Sequence, residues 1–167
     1  MGRYTNRMTL KIPALDPMSL PPRTSSGYPE PYRSRVLPRE KRALGDACGL
    51  TKIGINYSIL MPGKESSMRH WHTLEDEFIF VLSGEVVLKT DAGEQTLTAG
   101  MCAGFPASKD GKTGDGHQLI NRSGAPVTYL EISNRARGDE GIYPDVDLHF
   151  HGVGADPMFT RKDGSRF

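Results

Sequence analysis

The chain has 167 residues, of which 37% are hydrophobic and 25% are charged. This length and composition are typical of one globular domain with a single core. The formal net charge of +1 does not favour nucleic acid or an anionic membrane as a partner. No apolar run is long enough for a signal peptide or a membrane-spanning helix. We therefore expect a cytoplasmic protein that binds neither nucleic acid nor membrane.

The two cysteines do not predict a structural site. Cys48 and Cys102 are far apart in the chain and form no CxxC motif. Neither a disulfide framework nor a cysteine zinc site is indicated. We interpret both as unpaired thiols.

The first part of the chain is rich in proline and polar residues, which disfavour both helices and central strands. We assign residues 1–45 to an extended N-terminal arm, with only a short helical turn near residues 39–44. Residues 46–136 are expected to form a barrel, and residues 137–167 a C-terminal tail that packs on it. Because such an arm cannot form its own core, we expect it to lie on a second copy of the chain in a homodimer.

Short β-branched or aromatic runs separated by glycine-containing turns predict an antiparallel, all-β barrel. The seven predicted strands cover residues 52–61, 77–83, 85–91, 94–98, 101–105, 117–122 and 127–133. Side chains two residues apart in a strand lie on the same face. On this basis we expect Ile55, Tyr57, Ile59 and Met61 to face the interior.

Two histidines separated by one residue precede the second predicted strand. In an extended segment His70 and His72 project to the same side, and Glu77 follows after a turn. Imidazole and carboxylate groups inside a sheet are costly unless a partner such as a divalent metal satisfies them. His117, which follows a glycine-rich loop, is the natural third imidazole.

The order of these residues resembles the two sequence motifs of the cupin superfamily. The first motif has the pattern glycine, HxH, glutamate, glycine, and it is filled here by Gly63, His70, His72, Glu77 and Gly84. Four elements of the second motif are matched by Gly100, Pro106, His117 and Asn121. One extra residue lies before His70, and the segment before His117 is longer than the usual turn of the family.

The resemblance implies a single double-stranded β-helix, or jelly-roll, barrel with one divalent metal ion. The implied metal ligands are His70, His72, Glu77 and His117, and the ion would be iron, manganese, nickel, zinc or cobalt. Glu77 is either a ligand only or also a catalytic base. The expected cavity-lining residues are Tyr57, Ile59, Met61, Ile79, Phe105, Leu119 and Asn121, although a structural hydrogen bond is the favoured role of Asn121.

The sequence is compatible with two functions. The first is a metal-dependent enzyme of the dioxygenase, isomerase or lyase type that acts on a small organic acid or sugar. The alternative is a non-catalytic or sensory module that binds a small ligand, because a fold does not decide function.

Two further segments have competing interpretations. The loop at residues 107–116 is either a mobile lid over the metal or an exposed turn, and Trp71 either lines the entrance or packs. A second HxH, formed by His149 and His151, is expected to lie on an exposed tail strand and not to bind the metal, since no acidic residue follows at a motif-like distance.

Overall fold

A computed structural model describes residues 10–152 and 158–167. The described residues are organised mainly as β-strands. The helical segments are a 3-10 turn at Pro17–Ser19, α1 at Tyr32–Val36 and α2 at Leu44–Ala47. The strands are β1 Arg39–Ala43, β2 Ile53–Leu60, β3 Trp71–His72, β4 Glu77–Ser83, β5 Glu85–Thr90, β6 Gly93–Thr98, β7 Cys102–Phe105, β8 Gln118–Ile120, β9 Val127–Asn134, β10 Glu140–Ile142, β11 His149–His151 and β12 Met158–Thr160. No helix in the described part of the chain is long and apolar enough to cross a membrane.

The strands of the described residues form three sheets. The largest has the order β1-β2-β9-β4-β7, a second has the order β6-β5-β8, and the third has the order β12-β11-β10-β3. The strand pairings within these sheets are antiparallel. A tight turn joins β4 to β5 at Gly84, whose φ of +83° favours glycine. A Cβ there would also lie 3.1 Å from the Pro126 carbonyl oxygen.

The main core lies between the five-stranded and three-stranded sheets. Its buried members are Leu60, Ile79, Val81, Val86, Leu88, Leu97, Leu119, Val127 and Tyr129. The all-β architecture predicted from the sequence is confirmed. Each of the seven predicted strands is present, with boundaries that differ by at most a few residues.

A second apolar cluster joins the N-terminal arm to the C-terminal tail of the same chain. It contains Tyr28, Val36, Met68, Tyr143 and Leu148, all of which are buried. The Tyr28 and Tyr143 hydroxyl groups are 3.1 Å apart and form a hydrogen bond. The arm from Tyr28 onward therefore packs against its own molecule.

The structure corrects the assignment of residues 39–44 to a helical turn in the arm. Arg39–Ala43 is strand β1, which pairs with β2 along its whole length. Its sequence, REKRA, is almost entirely charged, so it gives no hydrophobic signal for a strand. It forms because its side chains find partners, such as the carboxylate of Glu131, which lies 2.6 Å from the Lys41 ammonium.

The structure also corrects the faces of β2. Ser58 and Leu60 are the buried residues of this strand, whereas Tyr57 and Ile59 are only half-buried. Ser58 pairs with Tyr129 of the core, and Tyr57 pairs with Leu130, so the alternation is the reverse of the one expected. Ile53, Ile55, Tyr57 and Ile59 thus lie on the outer face of the five-stranded sheet, whereas Leu60 lies on the inner face and belongs to the core.

Candidate metal centre

Four side chains from three segments of the chain meet inside the barrel. His72 belongs to β3 and Glu77 begins β4, while His70 and His117 form a backbone bridge that places their segments side by side. The Glu77 Oε2 atom lies 2.7 Å from His117 Nε2, 3.5 Å from His72 Nε2 and 3.8 Å from His70 Nε2. The predicted ligand set is therefore brought together around one carboxylate.

The remaining ring nitrogens hold two of these imidazoles in place. His70 Nδ1 is 2.9 Å from the Met68 carbonyl oxygen, and His72 Nδ1 is 2.5 Å from Asp139 Oδ2. Hydrogen bonds of this kind fix the tautomer and orientation of histidines that bind metal ions. The His117 ring is instead stacked on Phe105, with centroids 3.8 Å apart.

The surroundings favour neutral imidazole at His70 and ionised carboxylate at Glu77. Burial, with the nearby His72 and His117, lowers the pKa of His70 to about 3. Burial would raise the pKa of Glu77, but the hydrogen bond with His117 and the charges of the histidines lower it well below its usual range. Metal ions bind these protonation states.

Burial lowers the pKa of His72, but the hydrogen bond with Asp139 and the charge of Glu77 outweigh it and raise that pKa overall. Asp139 is itself almost fully buried, and burial raises its pKa, yet contact with His72 keeps that pKa below the usual value. The two groups are therefore held as a charge-assisted hydrogen-bonded pair.

The donor atoms fit a divalent metal ion. The donors of His70, His72 and Glu77 all lie within 4.8 Å of one another. The separations of 3.5 and 3.8 Å from the carboxylate are too long for hydrogen bonds. Two ligands of one ion with bonds of about 2.0–2.2 Å lie about 3.3 Å apart in tetrahedral geometry. His117 contacts the same carboxylate oxygen, and its Nδ1 atom is buried without a hydrogen-bond partner among the described residues.

The four residues open into a cavity of about 330 Å³, a size suited to a small molecule. Ile79, Phe105 and Leu119 line this cavity, as the sequence predicts. Tyr28, Tyr129 and Tyr143 add aromatic walls, and Arg23, Arg39 and Lys41 add cationic groups.

Four residues expected to line the cavity do not do so. Tyr57, Ile59 and Met61 are absent from its walls because β2 turns its other face inward. Asn121 is fully buried, but its amide nitrogen donates to the carbonyl oxygens of Leu60 and Ala125. The structural role favoured for Asn121 from the sequence agrees with these contacts.

Asp139 is the main site residue that sequence reasoning missed. It lies 67 positions after His72 in a polar segment that carries no motif. Its Oδ1 atom also accepts hydrogen bonds from the backbone N–H groups of Leu74 and Glu75. Antiparallel pairing of β10 with β3 brings it to His72, and this pairing of very short strands has no sequence signal.

The loop at residues 107–116 has the contacts of an ordered turn. Asp110 accepts hydrogen bonds from the backbone N–H groups of Lys112 and Thr113. Gly114 lies against the buried Trp71 indole, so closely that a Cβ atom would be 2.6 Å from the ring. No residue of this loop is among the residues that line the cavity. Trp71 therefore has a packing role.

The second HxH lies on a strand of the tail, as expected, but its side chains are half-buried and not exposed. His149 and His151 lie on β11, and Glu140 of the neighbouring strand β10 faces them. An acidic residue that precedes the pair in sequence is thus its partner in space.

Comparison with known proteins agrees with the geometry. The family model described as a cupin domain matches residues 56–133. A structure described as a sugar phosphate isomerase of the cupin superfamily, from Silicibacter pomeroyi, is 39% identical, with a TM-score of 0.86. That match covers 93% of this chain and 96% of the other. The chain belongs to the cupin superfamily, and its fold is the cupin β-barrel.

Two further structures are similar. A provisionally assigned sugar phosphate isomerase from Acidithiobacillus ferrooxidans is 28% identical, with a TM-score of 0.67, and the match covers 77% of this chain and 80% of the other. The polyketide cyclase RemF from Streptomyces resistomycificus is 16% identical with a TM-score of 0.59 over 75% of this chain and 80% of the other, which shows a shared fold alone. No curated protein matches the chain significantly.

Proposed function

We propose that the protein is a metal-dependent isomerase of a phosphorylated sugar. The observation that carries this proposal is that a metal-ligand cluster and a group of arginine side chains line one cavity. Two similar structures are described as sugar phosphate isomerases. Their sequences are 39% and 28% identical to this chain. The proposal narrows the broader expectation of a small organic acid or sugar.

The cationic wall of the cavity is suited to a phosphate group. Lys41 is engaged by Glu131, so its charge is compensated. Arg39 is buried, donates from one nitrogen to the Ser66 carbonyl oxygen and has a buried Nε without a hydrogen-bond partner. No ion pair of Arg23 or Arg39 is present among residues 10–152 and 158–167. Guanidinium groups bind phosphate through paired N–H donors, so these two residues are the proposed phosphate ligands.

The metal-ligand cluster that also lines the cavity is the proposed source of the reactive groups. His70, His72, Glu77 and His117 are the residues proposed to hold a divalent ion of iron, manganese, nickel, zinc or cobalt. When bound, such an ion supplies a Lewis acid that polarises a substrate oxygen. Aldose–ketose isomerisation moves a proton between adjacent carbons, which needs a carboxylate or similar base. Despite burial, contact with the histidines lowers the pKa of Glu77, which favours the carboxylate, and Glu77 lines the cavity. It is therefore the proposed base when it is released from the ligand set.

The test uses the full chain, stripped of metal and reloaded separately with each of these ions. Aldose and ketose phosphates, the same sugars without phosphate and small organic acids are then incubated with it and followed by NMR. We expect metal-dependent interconversion of phosphorylated sugars, with unphosphorylated sugars at least tenfold less efficient. Equal conversion of sugars with and without phosphate contradicts the proposal. A ligand-induced thermal shift without any turnover also contradicts it. The second result supports a binding module.

A matched pair of arginine variants sharpens this test. Arg23→Gln removes an exposed guanidinium at the cavity and should raise KM for phosphorylated sugars at least tenfold. Arg122→Gln is the control, because Arg122 pairs with Glu94 on the outside of the barrel. Equal effects of the two substitutions contradict a phosphate site at Arg23.

We also propose that the chain forms a homodimer through the outer face of the five-stranded sheet. Cross-strand pairs place Ile55 beside Ile132, Tyr57 beside Leu130, and Phe78 beside Ile132 on this face. Phe78 is 38% exposed and Ile53 is 43% exposed. The apolar part of this face, on β2, β9 and β4, is characteristic of an interaction site, and we propose that the same face of a second copy covers it.

A further inference from the structure

Three side chains outside the barrel cavity form a second cluster of metal-ligand type. His149 and His151 lie on the same face of β11, and Phe150 between them lies on the cavity side. Antiparallel pairing of β10 with β11 sets Glu140 directly opposite His151. The donor atoms of the three residues all lie within 4.8 Å of one another.

The distances between these donors suit a shared ion better than hydrogen bonds. Glu140 Oε2 is 3.4 Å from His149 Nε2, and Glu140 Oε1 is 3.7 Å from His151 Nδ1. Direct N–H···O hydrogen bonds are shorter, at about 2.7–3.2 Å. Ligands that share a zinc ion with bonds of about 2.0–2.1 Å are separated by about 3.3 Å in tetrahedral geometry.

The ring nitrogens have the arrangement expected of zinc ligands. His149 Nε2 is buried and has no hydrogen-bond partner among the described residues. His151 Nε2 lies 3.1 Å from the hydroxyl of Thr160, a buried residue of β12. When His151 Nε2–H donates to this hydroxyl, the lone pair of Nδ1 is directed at Glu140. Hydrogen bonding of the second ring nitrogen is usual for histidines that bind metals.

We propose that Glu140, His149 and His151 form a second metal site that binds Zn²⁺, with solvent as a further ligand. Two imidazoles and one carboxylate are a donor set that zinc uses in proteins. The side chains are 45%, 26% and 25% exposed, respectively, so the ion reaches the site from solvent. The ion links β10 to β11 and thereby fixes the strand that begins next to Asp139, the partner of His72.

The experiment counts zinc in the full chain. Wild-type protein and two double variants, His149→Ala with His151→Ala and His70→Ala with His72→Ala, are equilibrated with zinc chloride, desalted and analysed by elemental analysis. We expect two zinc ions per wild-type chain and one per chain in each double variant. The proposal is overturned if the His149/His151 variant still binds two zinc ions per chain. It is also overturned if a folded His70/His72 variant binds no zinc.

Milder substitutions keep the test valid if a double variant fails to fold. In a chelator competition assay, Glu140→Gln should lower zinc affinity at the outer site, formed by Glu140, His149 and His151, at least tenfold. Affinity at the barrel site, formed by the two histidines of the first HxH motif with Glu77 and His117, should not change. Asp147→Asn is the control. Asp147 lies two residues before His149 of β11, but its carboxylate accepts a hydrogen bond from the Lys162 backbone and is not part of the cluster. With Co²⁺ as the probe, wild type should show a d–d spectrum for which Glu140→Gln lacks one component. Identical spectra and affinities for wild type and Glu140→Gln also overturn the proposal. None of these readouts uses turnover, so the result is independent of the proposed isomerase activity.

Discussion

Asp139 orients His72, one of the proposed metal ligands, through a single hydrogen bond. It holds His72 Nδ1 at 2.5 Å, which directs His72 Nε2 toward Glu77. In Asp139→Asn, the remaining side-chain oxygen can still accept from the Leu74 backbone N–H. The amide N–H then takes the place of the oxygen that contacts His72 Nδ1, so His72 loses its hydrogen-bond acceptor. We expect metal affinity at the barrel site to fall 10–100-fold, as for other partners of metal-binding histidines. Chelator competition measures this change.

Glu75→Gln is the control for Asp139→Asn. Glu75 is near the same histidine, but its side chain accepts from the Ala136 backbone, and glutamine preserves this hydrogen bond. If both variants bind metal as tightly as wild type does, Asp139 does not position His72.

Asn121 provides the second prediction at this scale. Its side chain donates to two backbone carbonyl oxygens and accepts from the Ser123 backbone N–H and hydroxyl. Asn121→Ala leaves these buried groups without partners, so we expect it to reduce the free energy of unfolding by about 2–4 kcal/mol. Urea denaturation measures the loss. Metal content of the folded fraction should not change, and its loss would mean that Asn121 belongs to the site.

At the scale of elements, the packing of the residue 107–116 loop on Trp71 is open to a direct test. Because a Cβ at Gly114 would lie 2.6 Å from the Trp71 ring, Gly114→Ala should force the indole or the loop to shift. We expect a cost of about 1–3 kcal/mol, which is typical of overpacking. Gly124→Ala is the control, because nothing lies within 4 Å of a Cβ there. Equal melting temperatures for the two variants would show that the loop does not pack on Trp71.

The sequence predicts strands well where they carry a hydrophobic pattern and poorly where they do not. All of the strands that contribute to the main core were predictable, and so was the approach of His70, His72, Glu77 and His117. Strand β1 and the three-residue strands of the tail are polar or very short, so only tertiary pairing reveals them. Asp139 and Glu140 could not be assigned for this reason, since both reach their histidines through the pairings of β10.

The faces of β2 illustrate a different limit. Period-two alternation identifies which side chains share a face, but it does not say which face is inside. Here the inner face carries Asn56 and Ser58 beside Leu60, whereas the outer face carries Ile55 and Tyr57. An apolar outer face is expected when a second protein surface covers it.

At the scale of the whole molecule, the proposed homodimer predicts the effect of a charge on the outer face. Phe78→Lys introduces an ammonium group at a position that is already 38% exposed in the single chain. The fold should tolerate it, but burial of the charge in a dimer would be costly. Light scattering at micromolar concentration should show a dimer for wild type and a monomer for this variant. Thr96→Lys, on the exposed side of β6, should remain a dimer.

The proposed metal site of the barrel histidines and Glu77 is tested most directly by elemental analysis of chains purified without chelator or a nickel column. These chains also lack His149 and His151, so that only the barrel site is counted. With His149 and His151 both replaced by alanine, we predict one metal ion per chain, and further replacement of His70 and His72 by alanine should reduce this to none. A chain without His149 and His151 that binds no metal, or equal metal contents with and without His70 and His72, would contradict metal binding at the barrel site.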